Sequence, residues 1–597
     1  MHQSNNVLRM EVKMEVIKKG PAAPKDPVEK RACMYVVLDK LVSGVTMPDG
    51  QYRDCMYLEG RIKSQVKIAS GDISEEILSL LESVSGFRKL VHSIGVVFKA
   101  DEKEDEDEEI IFQLQCYGKT NKYETGTMME MVCPCNGMEM VLPISAYPEN
   151  EEDTILGSFN FMFPKPNHNF TLTVKFYVND GYEIPEIEVD PPVQFDTPDY
   201  VEMISHSLVS TGNNYRLKHV IERAKAGEDV TIAYIGGSIT QGAGGKPINT
   251  KCYAYLSYQS FCQMFSPNGG KNIHYVKAGV GGTSSEFGVV RYDRDVCNNG
   301  EIQPDLVIVE YAVNDEGDET KGICYESLVR KILQTENAPA VILNFAVFMN
   351  DWNLQDRLQP VGEHYELPMV SVKDAVVPQF DTNKVITKRQ FFYDIYHPTN
   401  YGHRIMGDCL TNLFAAVDEE EMAVRDSDYD KEPVYGSQFK DLICFDRSNA
   451  DKFAQVTEEG FGGTDMELQC TEMNMDLSLT PQFPRNWHKE ENAEAEFKMT
   501  LQCRNLLIVM KDSGDSSFGK ADAWVDGKLI RTLDPLANGW NHCNSLILID
   551  EMEFAEHEVV IRMHPGYENK KFTILGFGVS AVCSSVCRVH APEWRLK

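Results

Sequence analysis

Three regimes of hydrophobic patterning follow one another along the chain. Up to about Tyr200, apolar and polar side chains alternate in runs such as Ile94–Lys99, Ile111–Tyr117 and Thr171–Val178. A period of two puts every second side chain on one face, so these runs predict strands with one side buried. Asp72 followed by Glu75 has the spacing of a capping box and predicts one helix over about Ser74–Ser85. The acidic run Asp101–Glu109 lies between two strand-like runs and reads as a solvated hairpin loop. Pro185–Pro198, rich in Pro, Asp and Glu, reads as a linker.

From Gly212 to about Val417 the pattern changes. Helical stretches at Tyr215–Ala226, Cys252–Phe265, Ser285–Cys297, Tyr325–Thr335 and from Asn400 onward alternate with apolar runs at Val230–Ile235, Ile273–Val276, Asp305–Tyr311 and Ala340–Phe348. Nearly continuous apolar strands separated by helices predict a parallel sheet covered on both faces, a three-layer α/β sandwich. Beyond about Asp430 the period of two returns, in Asn505–Lys511, His557–Met563 and Phe572–Gly578, and no helix is convincing. Asp526-Gly527 between Val525 and Lys528 signals a tight hairpin. The expected division is a β-rich domain at 1–198, an α/β domain at 199–424 and a β-sandwich at 425–597, each with its own core. There is no internal repeat.

Composition narrows the function classes. The chain has 597 residues, ample for several domains, and 42% of them are apolar, which excludes wholesale disorder. Lys plus Arg number 58 against 91 Asp plus Glu, a net charge of −33 that repels phosphate backbones and anionic lipid. Nucleic acid and membrane surfaces are therefore not expected as partners, whereas a neutral ligand such as a sugar is unopposed; a homo-oligomer stays open. No apolar run reaches the roughly eighteen residues of a membrane span. The first residues lack the apolar stretch of a secretory signal, so the expected location is cytoplasmic. The 16 cysteines are scattered singly, apart from Cys133-Pro-Cys135 and the spacing Cys583 to Cys587. Neither matches a zinc pattern, so no metal and no cofactor is expected, and the thiols read as small buried hydrophobes.

The chemistry concentrates in the middle region. Strand Val230–Ile235 runs directly into Gly236-Gly237-Ser238-Ile239-Thr240-Gln241-Gly242. Parallel sheets bind ligands at the carboxyl ends of their strands, and flanking glycines leave a serine hydroxyl there exposed. On its own the motif equally fits an ordinary strand-to-helix turn; the phosphate-loop reading lacks its Gly-Lys-Ser/Thr ending. Three further pieces follow later strands or loops: Ala278-Gly279-Val280-Gly281-Gly282-Thr283-Ser284, Glu310-Tyr311-Ala312-Val313-Asn314-Asp315, and Asp394-Ile395-Tyr396-His397-Pro398. Taken singly, the glycines make a flexible turn and Asn314 a helix cap. An Asp three residues before a His, however, can reach Nδ1 and leave Nε2 free to act as a base.

In this order the four pieces resemble the SGNH, or GDSL-type, hydrolase family over roughly Gly212 to Val417. The resemblance implies a serine esterase with Ser238 as nucleophile, His397 as general base and Asp394 orienting it. Ser238, Gly282 and Asn314 would supply the oxyanion hole, with Gly281 adjacent to Gly282 as the alternative. Two positions depart from the common motif: Gly237 stands where an Asp is usual, and Ala312 where a Gly is. The Gly-Gly-Ser-Ile-Thr and Glu-Tyr-Ala-Val-Asn-Asp forms look like bacterial carbohydrate acetylesterases of the mannan type with an attached β-sandwich. That implies an acetylated carbohydrate as substrate, with another acyl ester or thioester as the enzymatic alternative. A carbohydrate-binding or scaffolding protein without activity is the rival from another class. His403 and Arg291 read as structural. Among the tryptophans of the last domain, Trp487 and Trp524 read as core, whereas Trp540 in a loop is the candidate for stacking on a sugar ring.

Overall fold

The alternating runs of the N-terminal region pair into two antiparallel sheets. The computed structural model describes residues 28, 31–47, 49–187, 190–380, 385–467, 483–492 and 494–581, so Cys583 and Cys587 lie outside the described residues. One sheet has the order Cys33–Ser43, Asn169–Val178, Val91–Ala100, Met140–Pro143. The other has the order Val45–Thr46, Tyr52–Tyr57, Asp153–Phe163, Glu109–Gly118, Met128–Pro134. The period of two sends Phe112, Leu114, Phe159 and Phe161 inward, where they meet Phe98 and Phe176 of the facing sheet. Phe98 and Phe161 pack edge to face at 5.9 Å, the arrangement favoured by ring quadrupoles.

Two details differ from the sequence reading. The strands flanking Asp101–Glu109 belong to different sheets, so the acidic run is a crossover and not a hairpin loop. It is not wholly solvated either: Asp105 is buried, 2.7 Å from His168 Nδ1 and paired with Lys165. The helix expected from Asp72 is capped instead by Ser74, which accepts the Ile77 N–H, and it ends at Leu80. Ser83 then caps a second helix, Val84–Leu90, by accepting the Gly86 N–H. Serine offers the backbone a local hydrogen bond, and here it ends one helix register and starts another. A further helix, Ile62–Ser70, lies ahead of both.

The middle sheet has the spatial order Leu208–Ser210, Met369–Ser371, Ala340–Phe345, Leu306–Glu310, Val230–Gly236, Ile273–Gly279. It is mostly parallel, as expected, and the edge strand Leu208–Ser210 runs antiparallel to its neighbour. Every residue of Leu306–Glu310 and Ala340–Phe345 is buried, which explains their unbroken apolar character. The two three-residue strands are too short to show a period. Helices cover both faces, among them Tyr253–Phe265, Ser285–Asp295 and Asn400–Glu419.

The C-terminal region is β-rich around two long strands, Glu496–Asp512 and His542–Met563, which pair antiparallel with breaks in register near Cys503 and Leu506. Such bulges bend long strands and let them contribute to more than one layer. The hairpin is present: Val525 pairs with Lys528, and Asp526 and Gly527 have φ of 50° and 76°. Two consecutive positive φ values match the twist of a tight hairpin. Trp487 is core, as expected. The expectation of a separate core does not hold on one side: Leu507, Val509, Cys543 and Leu575 share a cluster with Phe287 and Val290 of the middle region. Among the described residues no helix is long and apolar enough to cross a membrane.

Candidate active site

The sharp turn after Val230–Gly236 is dictated by crowding. A methyl group on Gly236 would stand 2.5 Å from the Glu310 carbonyl oxygen, and one on Gly237 would stand 2.1 Å from Asn314 Oδ1. The Asn314 side chain thus fills the space that an Asp at position 237 would need. Ser238 opens the one-turn helix Ser238–Gln241 and is largely buried. Beneath it, Thr240 donates to Glu310 Oε2 at 3.1 Å and lies 2.8 Å from the Tyr253 hydroxyl. Burial pushes the Glu310 carboxyl up to about 7, with the Thr240 bond acting the other way.

Ser238, His397 and Asp394 come together. Ser238 Oγ is 2.9 Å from His397 Nε2, and His397 Nδ1 is 2.9 Å from Asp394 Oδ2. The other Asp394 oxygen accepts the backbone N–H groups of Tyr396 and His397, both at 2.8 Å. Those two bonds lock the carboxylate in the loop and aim Oδ2 at the imidazole. Burial alone would raise Asp394, but His397, Arg61 and the backbone donors hold it well below the usual carboxylate range. His403 is structural as expected: its ring is buried, lies parallel to Tyr253, and places Nε2 3.0 Å from the Ala243 carbonyl oxygen. Arg291 pairs with Asp295 at 3.2 Å and also donates to the Gly236 carbonyl.

The glycine loop lies alongside. Gly281 donates its N–H to Gln241 Oε1 at 3.0 Å, so that group is spent inside the protein. Gly282 has φ of 70°, a left-handed conformation that favours glycine. The loop is clamped from the next motif: Asp315 accepts both the N–H and the hydroxyl of Ser285 at 2.8 Å. Asn314 precedes a short 3-10 turn, yet its side chain makes no capping bond, so its amide is not explained as a helix cap.

Both flanking domains reach this site, through residues that the sequence reading did not single out, Trp540 excepted. Trp540 and His542 lie over Gly282, where a methyl group would stand 2.8 Å from the Trp540 ring and 2.9 Å from His542 Nε2. Asp512 Oδ2 holds His542 Nδ1 at 2.9 Å, and the Trp540 and His542 rings pack at 4.4 Å. From the N-terminal domain, Arg61 donates to Asp394 Oδ2 at 3.3 Å and lies 4.9 Å from the centre of the Tyr396 ring. No local signal marks Arg61, because its partner is 333 residues away. A cleft of about 770 Å³ opens between the two β-rich domains, and Arg61 and Trp540 both line it.

Among the described residues, Glu286, Asp318 and Cys324 form a buried group of metal-ligating types. Their bonds are internal: Asp318 accepts from Thr320 and Gly322, and Glu286 from the Glu319 N–H. Burial, then Asp318 and Glu319, push Glu286 up to about 9, so it sits as a neutral acid at pH 7.

Residues 234–405 match the model of the GDSL-like Lipase/Acylhydrolase family. No curated protein matches the chain. The chain is similar to the crystal structure of a two-domain esterase (CEX) active on acetylated mannans, at 28% identity and a TM-score of 0.55, covering 63% of this chain and 98% of that one. The same esterase co-crystallized with mannopentaose matches at 28% identity and a TM-score of 0.54, with the same coverage. A family two carbohydrate esterase from Clostridium thermocellum in complex with cellohexaose matches at 10% identity and a TM-score of 0.23, over 54% of this chain and 88% of that one. The middle region is therefore an SGNH hydrolase domain of the GDSL-like lipase/acylhydrolase kind, and the chain that carries it is a carboxylic ester hydrolase.

Proposed function

We propose that this protein removes O-acetyl groups from oligo- or polysaccharides through an acetyl-enzyme on Ser238. The observation that carries the reading is the unbroken line from Ser238 Oγ through His397 to Asp394, each contact 2.9 Å. A serine hydroxyl is a weak nucleophile at neutral pH and needs such a base. His397 Nε2 takes the Ser238 proton as Oγ attacks the acetyl carbonyl, and Asp394 stabilises the imidazolium that forms. The carbonyl oxygen becomes an anion facing the N–H groups of Ser238 and Gly282 and the side-chain amide of Asn314; one such donor is worth ~3–4 kcal/mol. His397 then returns the proton to the departing sugar oxygen. Water, deprotonated by His397, attacks the acetyl carbon; the bond from that carbon to Ser238 Oγ breaks, His397 returns the proton to Oγ, and acetate leaves.

Likeness to an esterase active on acetylated mannans supports an acetylated mannan as substrate. Trp540 over Gly282 supports a role for the C-terminal domain in holding the sugar, since an indole face suits the apolar C–H side of a pyranose. The described cysteines are free thiols, many of them buried, which suits a reducing, cytoplasmic setting. The test is acetate release from acetylated manno-oligosaccharides, followed by mass spectrometry, for wild type and Ser238→Ala. The variant is expected to fold normally and lose at least about 10³-fold in kcat on both sugar and aryl acetates. Retention of most activity would remove Ser238 from its role.

A further inference from the structure

The two faces of the five-stranded sheet of the N-terminal domain differ. One face carries Phe112, Phe159 and Phe161 into the core. The other presents Arg53, Cys55, Tyr57, Gln113, Asn160 and Met162, all of them partly exposed. Strand pairing sets Cys55, Asn160 and Gln113 in one row across three strands, with Arg53 beside Met162 in the next. These six side chains form one wall of the 770 Å³ cleft; Lys511, Asp515 and Trp540 of the C-terminal domain form part of the other. Along the rim, Lys122 and Tyr123 both donate to the Gly539 carbonyl, at 2.8 and 3.2 Å, and tie the Trp540 loop to the N-terminal domain. Two residues that line the cleft also touch the triad region: Arg61 bonds Asp394 and Trp540 covers Gly282.

We propose that this sheet face is a subsite for the carbohydrate chain bearing the acetyl group, holding sugar residues remote from the reacting ester. The inference rests on the carbohydrate reading above and adds a second domain to it. A face meant for solvent alone would not wall a cleft that Arg61 and Trp540 link to the triad region. Sugars present hydroxyl donors and acceptors around an apolar ring. Gln113 and Asn160 offer planar amides, and Tyr57 and Met162 apolar surface at matching positions, while Arg53 is held by Asp49 and Gln51. A neutral chain also enters a protein of net charge −33 without electrostatic penalty.

The test uses the full-length chain, a Gln113→Ala/Asn160→Ala double variant, and Gln113→Trp, which fills the cleft. Both positions are on an exposed face, and thermal unfolding checks the fold of each variant. In wild type, kcat/KM on acetylated manno-oligosaccharides is expected to rise with chain length, because remote contacts add binding energy. The double variant should lose about tenfold on the longest substrate and flatten the length dependence, with a much smaller loss on an aryl acetate. Calorimetric titration with unacetylated mannopentaose should show about tenfold weaker binding in the double variant and weaker still in Gln113→Trp. Length dependence and mannopentaose affinity unchanged in both variants would overturn the subsite while leaving the esterase reading intact. If wild type cleaves aryl acetate but no acetylated manno-oligosaccharide, the carbohydrate reading fails. The mannopentaose titration still decides the subsite in that case: equal heats in all three proteins overturn it, and heats lost in the variants support it.

Discussion

The two flanking domains approach the catalytic domain by opposite physics. On the C-terminal side the contact is hydrophobic and continuous: Leu507, Val509, Cys543 and Leu575 complete a cluster with Phe287 and Val290, and Gly578 lies so close to Val290 that a methyl group would stand 2.5 Å from it. On the N-terminal side the contact is largely polar. Lys40 donates to the Phe392 carbonyl at 2.7 Å, Asp54 forms a buried pair with Lys246 in the loop after Ser238–Gln241, and Arg61 reaches Asp394. The apolar contact lies behind the helix that follows the Gly281-Gly282 loop, and the polar contact reaches the loop that carries Asp394 and His397. A shared core holds regardless of pH and salt, whereas charge contacts steer the residues they touch and change their proton affinity.

The largest effect that separates these modes is expected from deletion. Removing residues beyond 424 strips one side of a shared core, so the remainder should be insoluble or lack a cooperative thermal transition. A soluble, cooperatively unfolding remainder would show that the C-terminal contact is dispensable. The milder probe, Leu575→Ala, should cost about 2–5 kcal/mol with little change in activity per folded molecule.

Next in size is the buried pair between Asp54 and Lys246, both less than 8% exposed. Asp54→Leu alone leaves a buried ammonium and should destabilise by about 3–5 kcal/mol, whereas Asp54→Leu with Lys246→Met should recover most of that loss. Chemical denaturation of the two variants measures the difference. Equal losses in both would mean that the pair acts through packing and not through charge.

The smallest expected effect is the most diagnostic for the chemistry. Arg61→Met should lower kcat/KM on a small aryl acetate about tenfold and move the acid limb of its pH profile upward. In the proposed mechanism the acid limb reports protonation of His397; a nearby cation opposes that protonation, and removing the cation therefore raises the apparent value. Other charged or titratable groups around Asp394 and His397 are Lys40 and His403. Burial pushes His403 down to about 4, so it stays neutral and does not supply the limb. Arg61→Lys should restore most of the shift. An unmoved limb would make Arg61 a structural strut.

Much of the middle domain is legible without coordinates because its signals are local. Val230–Gly236 and Leu306–Glu310 are buried on both faces and so read as unbroken apolar runs, and Asp394 and His397 lie three residues apart on one loop. The tight Asp526-Gly527 hairpin is equally local, a matter of two residues that tolerate positive φ. That Gln241 takes up the Gly281 N–H needs the fold, because the two lie 40 residues apart.

What the sequence by itself determined is therefore the α/β pattern, the four motifs and the acidic, thiol-rich character of the chain, all of which are written in spacing and residue type. Only the tertiary structure decided that Arg61 and Trp540 reach the same site, that the acidic run from Asp101 crosses between sheets, and that the C-terminal core is shared. Each of these depends on contacts between residues far apart in the chain, and a hydrophobic period says which side is buried but not what buries it.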